Sequence, residues 1–255
     1  MRLLLVLRSK GTFSYLMNYH HKLQGFLYAL LRGSDMDYLH NLPGYKFFSF
    51  SNIFPIQSIH EGDTRNLIIA SPDEIFIRAI FRNLLENYLH TPIYIGHMVF
   101  ELESIKLLNP RIGRSCRFVA ATPIIVRIPR HRFSSLPGGN WETKYDYTYW
   151  RNSLPLELFV EQLTANLAKK YRSYFDRPLE EEHLFPAYRF LKQVCNHVII
   201  GGREVKLIGS LWEFYFEAID QEMRRVLQFA LDTGLGELNS LGFGFINKVR
   251  RNRAN

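Results

Sequence analysis

Apolar residues recur along this chain with two alternating periods, and the alternation predicts an ordered series of strands and helices. Leu3 to Leu7 is a continuous apolar run between Arg2 and Arg8, short enough to be a strand rather than a helix. From about Tyr19 the period becomes helical. Leu23, Phe26, Leu27, Leu30 and Leu31 fall at i, i+3, i+4, i+7 and i+8, one buried stripe that Gly33 and Ser34 close. The opposite face carries His21, Gly25, Tyr28 and Arg32, which puts His21 and Tyr28 on one side, about 10 Å apart along the axis. A polar connection over residues 35–46 holds Tyr38, His40 and Lys46, with Pro43-Gly44 as a turn. Phe47 to Phe54 and Leu67 to Ala70 read as strands. Ser71-Pro-Asp-Glu74 reads as a helix start, with Ser71 at the N-cap and Pro72 at the first position. That helix turns Ile77, Ile80, Phe81, Leu84 and Tyr88 inward and stops before Thr91-Pro92, and Ile93 to Leu108 reads as a strand.

The same order then repeats. Asn109 to Gly113 is the boundary, dividing the chain into residues 1–110 and 111–255. Arg117 to Ile128 is strand-like, and residues 129–150, rich in Gly, Tyr and basic side chains, form an excursion. Leu156, Phe159, Val160, Leu163 and Leu167 mark a helix to about Phe175. Strands follow over about Phe190 to Ile200 and Arg203 to Ile219. In the latter, Trp212, Phe214, Phe216 and Ala218 alternate with Glu213, Tyr215 and Glu217. A helix capped by Asp220 and a final strand, Phe243 to Val249, close the chain. Two βαββαβ units in tandem predict an α+β protein of two ferredoxin-like domains, the fold also used by RNA-recognition modules. Neither half carries the paired aromatic motif of those modules, so base stacking on an open sheet is not implied.

Between the last helix and last strand stand Gly234, Gly236, Gly242 and Gly244. Four glycines so close together suggest a chain bent to fit a ligand, and phosphate is the first candidate; a glycine hairpin with no ligand is the plain alternative. The spacing matches neither a dinucleotide fingerprint nor a P-loop, since no third glycine falls in place and no Gly-Lys-Ser/Thr follows.

Composition narrows the chemistry. The chain has 255 residues, 47% of them apolar, ample for packed cores. Cys116 and Cys195 are its only cysteines, which argues against a disulfide scaffold and a thiolate zinc site. The apolar run at Leu3 is too short for a signal core or a membrane span, so the expectation is a cytoplasmic protein with no membrane partner. Net charge is +8 and unevenly placed: Arg111 to Arg151 holds eight Lys and Arg against Glu142 and Asp146, and the tail adds Lys248, Arg250, Arg251 and Arg253. Such clustering is the footprint of a polyanion-binding surface, with a solubilising charge distribution as the alternative. The acidic group Glu180 to Glu182 with His183 reads as a solvated helix end or loop rather than a metal site, and no cofactor is called for.

The glycine pattern, placed between the last helix and strand of a doubled ferredoxin fold, resembles the repeat-associated (RAMP) superfamily of CRISPR proteins. Leu23-Gln-Gly-Phe-Leu-Tyr28, Tyr38-Leu-His40, Tyr45-Lys-Phe-Phe-Ser49 and Phe118 to Val126 are similar to its repeat-RNA processing endoribonucleases, in order and spacing over nearly the whole chain. The resemblance implies cleavage of CRISPR precursor RNA within repeats, without metal. The 2′-hydroxyl would attack the adjacent phosphate to leave 2′,3′-cyclic phosphate and 5′-hydroxyl ends. It implies Tyr28, His40 and Lys46 as the catalytic set. A histidine suits the proton work, a lysine the developing charge and a tyrosine the positioning. His20 and His21 are rivals for the base or for RNA contact, and Tyr45 and Lys22 are rivals one residue out of register. RNA binding is expected from backbone N–H groups of Gly234, Gly236, Gly242 and Gly244, from Asn239 and Ser240, from His21, and from Arg111, Arg114, Arg117, Arg130 and Arg132 along a groove. The partners implied are repeat RNA and a CRISPR interference complex, with the protein a monomer or homodimer. A catalytically silent repeat-RNA binder or complex subunit is the alternative, and an unrelated ferredoxin-like RNA-binding module the weaker one.

Overall fold

A computed structural model describes the chain except for residues 16, 134–145, 180–183, 201 and 250–255. The first apolar run forms strand β1 (Arg2–Ser9), whose alternate residues Leu3, Leu5 and Leu7 are completely buried. Helix α1 (His20–Leu31) buries the predicted stripe, Leu23, Phe26, Leu27, Leu30 and Leu31, together with His20. Strands β2 (Ser49–Phe50) and β3 (Thr64–Ala70), helix α2 (Glu74–Asn87), and strands β4 (Ile93–Ile95) and β5 (Met98–Leu108) complete the first unit. Its sheet runs β2-β3-β1-β5-β4, antiparallel throughout. Apart from the extra edge strand β4, this is the strand order of a ferredoxin-like fold.

Three local readings are corrected. The strand Ile93 to Leu108 is a hairpin, because Gly96 takes a φ of +64° and turns the chain back. The strand Phe47 to Phe54 shrinks to two residues, since Phe47 itself adopts a left-handed φ of 49°. The cap of α2 is Asp73, not Ser71. The Asp73 carboxylate accepts from the Ile75 and Phe76 amides, while the Ser71 hydroxyl donates to the Phe47 carbonyl at 2.9 Å.

The second unit comprises β6 (Cys116–Ala120), β7 (Arg127–Pro129), the short α3 (Arg130–Phe133), β8 (Tyr147–Tyr149), α4 (Leu156–Phe175), β9 (Ala187–Ile200), β10 (Arg203–Phe216), α5 (Gln221–Thr233) and β11 (Ile246–Val249). Its main sheet runs β11-β6-β10-β9, again antiparallel and ferredoxin-like. The predicted strand Arg117 to Ile128 is broken in two. After Ala120 the chain leaves the sheet, and Ile124 and Ile125 make single bridges to Ser210 and Glu237. The excursion is a β7–β8 hairpin, part of which lies outside the described residues. Asp220 caps α5 as its sequence position predicts, accepting from the Met223 amide at 2.7 Å.

Each unit has its own apolar core, the second built on Trp212 stacked on Phe159 with centroids 4.2 Å apart. The units are also tied by a buried polar contact. The Arg2 guanidinium donates to Asn247 Oδ1 at 2.7 Å and to the carbonyls of Leu231 at 2.6 Å and Ile246 at 2.7 Å, and it lies over the Phe245 ring. Among the described residues no helix is long and apolar enough to cross a membrane.

Candidate functional site

The glycine stretch packs where the two units meet. All four glycines have positive φ and all four are buried. An added Cβ at Gly242 would collide with the ring of Phe50 on β2, and one at Gly244 with the carbonyl oxygen of Leu235. The absence of side chains is thus what lets the loop fold on itself and against the first unit. The amides of Gly234, Gly242 and Gly244 are bonded to the carbonyls of Ala230, Asn239 and Pro123. At these three positions the expected glycine N–H groups facing a phosphate are corrected: the donors are spent and shielded. What the loop shows to solvent is Glu237 to Ser240, all partly accessible.

Beneath the loop lies a residue the sequence reading passed over. Lys170 on α4 is 2% exposed, and its ammonium donates to the carbonyls of Gly234 at 2.7 Å and Gly236 at 3.3 Å and to Asn239 Oδ1 at 2.9 Å. The Asn239 amide in turn donates to the carbonyls of Leu235 and Phe243, both at 2.9 Å. Three acceptors around one nitrogen match the three donors of a charged lysine. Burial nevertheless pulls the group down to about 7, opposed by the Glu237 carboxylate. A signal was available: Lys170 follows Leu163 and Leu167 on the same helical stripe, where the pattern calls for an apolar residue.

That depressed value carries a prediction. Above pH 7 the folded protein holds fewer protons at this site than the unfolded chain, which titrates near 10.5, so stability contributed here rises with pH between the two. Chemical denaturation should show wild type gaining on Lys170→Met from pH 7 to pH 10. A difference that does not change with pH would mean that Lys170 titrates normally.

Tyr28, His40 and Lys46 come together beside this loop. The Tyr28 and His40 rings meet edge-on with centroids 5.0 Å apart. Burial pushes the Tyr28 hydroxyl up, partly offset by its hydrogen bond to Ser240, so the phenol stays protonated at neutral pH. Gln24, one turn back on α1, donates to the Ser240 carbonyl at 2.9 Å, which joins the same helix to the glycine loop twice. His40 ends a short 3-10 helix, Asp37–His40, and is exposed. Its Nδ1 lies 2.9 Å from Asn41 Oδ1, an acceptor that places the proton on Nδ1 and leaves Nε2 with the lone pair in the neutral ring. The Lys46 ammonium donates to the carbonyls of Leu39, at 2.6 Å, and Leu42 and approaches that of His40 at 3.5 Å. Lys46, expected to meet the developing charge, also pins the turn that carries His40, and burial lowers its pKa.

His20 is closed to solvent, with Nε2 3.1 Å from Asn52 Oδ1 and its ring against Tyr19, Phe50 and Phe243, which removes it as a rival base. His21 is partly buried. Lys22 is exposed, and Tyr45 packs its ring on Phe47 with its hydroxyl pushed up by burial and by Glu237. A cavity of about 280 Å³ opens between the units, walled by Tyr45, Lys46, Arg127, Lys170, Glu237 and Asn239. In it Glu237 is held by Arg127, whose guanidinium also covers the Tyr147 ring at 4.7 Å.

The expected arginine groove is divided. Arg117 pairs with Glu213, which Arg189 also contacts at 2.6 Å, and Arg132 pairs with Glu161 at 3.1 Å. Arg114 and Arg130 are exposed, and Arg111 borders a separate cavity beside α5. Among the described residues no group of three His, Cys, Asp or Glu is placed to hold a metal ion; Glu180 to His183 lie outside them.

The family model for CRISPR associated protein Cas6, C-terminal, matches residues 107–248, more than half of the chain. The chain belongs to the Cas6 family. Its similarity extends beyond that segment. A CRISPR-associated endoribonuclease Cas6 of Methanocaldococcus jannaschii is 31% identical across 98% of this chain and all of its own length. The CRISPR-associated endoribonuclease Cas6 of Haloferax mediterranei is 34% identical across 99% of this chain and 95% of its own. A solved structure described as a RAMP protein binding different RNA substrates superimposes with a TM-score of 0.71 at 20% identity, over 98% of this chain and all of that one. At that identity the likeness is one of fold, and it covers both ferredoxin-like units of this Cas6-family chain.

Proposed function

We propose that this Cas6-family chain is an endoribonuclease that cuts CRISPR precursor RNA within its repeats by a metal-independent route. The observation that carries the reading is the edge-on meeting, beside the glycine loop, of Tyr28 on α1 with His40 on the turn held by Lys46. In this reading residues 1–110 supply the chemistry and residues 111–255 the loop and basic surface that hold RNA. His40 Nε2 takes the proton of the 2′-hydroxyl as its oxygen bonds to phosphorus. The bond to the 5′-oxygen breaks, and the imidazolium returns the proton there, leaving a 2′,3′-cyclic phosphate and a 5′-hydroxyl. Tyr28, kept protonated by burial, donates a hydrogen bond to a phosphate oxygen. Lys46 holds the His40 turn and adds positive potential beside the charge that develops on phosphorus. Asn239 and Ser240 form the solvent side of the loop opposite. The RNA-processing role makes repeat RNA the substrate and a CRISPR interference complex the recipient of its product.

The commitment of the Lys46 ammonium to backbone carbonyls favours a second reading, a repeat-RNA binder that does not cut. Incubating the full chain with labelled repeat RNA in excess chelator separates the two. Cleavage that disappears with a single 2′-deoxy substitution at the cut, leaving a cyclic phosphate in the unsubstituted product, is the expected result. Cutting that requires added Mg²⁺ would sink the metal-free scheme, and tight binding without products would leave the silent binder.

A further inference from the structure

Two further cavities continue the one beside the glycine loop, end to end along the seam between the units. The first, of about 230 Å³, shares Lys46 and Phe47 with it and is bordered by Tyr38, Leu42 and Tyr174. The second, of about 590 Å³, shares Tyr174 with its neighbour and is bordered by Arg111, Arg224, Arg225, Phe175 and Phe229. An aromatic ribbon runs under all three. Ring centroids lie 5.8 Å apart from Tyr45 to Phe47, 5.0 Å from Phe47 to Tyr174 and 4.8 Å from Tyr174 to Phe175. Phe175 is 43% exposed and Tyr38 57%, although both are large apolar rings. The three arginines at the far end make no ion pair among the described residues, and the Arg224 Nε is shielded from solvent without a partner there. The acids nearby are already engaged. Asp232 meets the Met1 amine at 3.1 Å, and Asp73 caps α2.

Exposed aromatic faces followed by unpaired cations fit one kind of ligand, a single nucleic acid strand with unstacked bases. We propose that this seam is a track for single-stranded RNA, leading from the cut beside His40 across Phe47 and Tyr174 to an end site. There a base stacks on Phe175 while Arg111, Arg224 and Arg225 take its phosphates. Placing the cut at one end of the track rests on the endoribonuclease reading; the binding surface itself does not. None of Tyr174, Phe175, Arg224 and Arg225 belongs to the cutting cluster, so the track sets how much flanking RNA is held, not how fast the bond breaks.

The test uses the full chain and repeat RNA carrying a 2′-deoxy nucleotide at the cut, in two lengths: one confined to the nucleotides around the cut, one extended on both sides. The wild-type protein should bind the long RNA more tightly than the short. Phe175→Ala should weaken binding of the long RNA roughly tenfold and leave the short one unaffected. The double variant Arg224→Gln, Arg225→Gln should lower the slope of log affinity against log salt by about 1.4, at 0.7 per single-strand phosphate, again for the long RNA alone. Both variants should cut short unmodified RNA at the wild-type rate. If both bind long RNA like wild type, the track is overturned, including the case in which the seam instead receives a protein. If wild type cuts nothing but the variants still lose long-RNA affinity, the nuclease reading falls and the track stands.

Discussion

Gly244→Ala is expected to destabilise the protein by about 4 kcal/mol, enough to lower Tm by roughly 10 °C. The residue has a φ of +67°, and a Cβ there would overlap the Leu235 carbonyl oxygen, a backbone atom that cannot rotate away. Relief requires opening the pair of bonds that close the loop, Leu235 N–H to the Gly244 carbonyl and Gly244 N–H to the Pro123 carbonyl, both 2.8 Å. Because the same loop holds Ser240 against Tyr28, cleavage should fall along with stability. The control is Gly25→Ala. Gly25 is exposed on α1 with nothing within 4 Å of an added Cβ, so alanine there should stabilise by about 0.5 to 1 kcal/mol. Thermal unfolding in which the two variants shift alike would remove the claim that close backbone approach, rather than helix or turn propensity, explains the glycines.

His40→Ala should slow single-turnover cleavage by about 10² to 10⁴-fold while changing RNA affinity little. The side chain is exposed and its hydrogen bond is to the adjacent Asn41, so the fold does not depend on it. Lys46→Ala differs in kind. It frees the Leu39 and Leu42 carbonyls and loosens the turn beneath His40, so the rate should fall with some loss of order in residues 37–46. A loss of affinity in His40→Ala equal to the loss of rate would mean that His40 binds RNA and does no proton transfer.

Periodic burial made most of the fold legible in the sequence. The stripe from Leu23 to Leu31 and the alternation from Trp212 to Phe216 predicted elements that bury those residues. Turns were less legible, because Gly96 inside an apolar run looks like part of a strand until its φ is known. The nearness of Tyr28 to His40 followed the resemblance, and the spacing alone placed only Tyr28 and His21 on one helix face. The bonding of Lys46 was hidden, since nothing in the spacing of a polar loop tells which backbone carbonyls a lysine at its end will meet. Charge clustering overstated the arginine groove for a related reason. Neighbours in sequence, such as Arg117 and Arg132, met different acids, Glu213 and Glu161, once folded.

The contact of Arg2 with Leu231, Ile246 and Asn247 bears on how the protein is made. A ribosome adding about 5 to 20 residues per second exposes β1 roughly 10 to 50 seconds before β11 exists. During that interval the first unit can assemble its own sheet, but the Arg2 guanidinium has no buried acceptors to enter and stays hydrated. Strand β1 is thus completed only by β11, and the nascent chain keeps a hydrated, unfilled cationic contact until residues 231–247 have emerged.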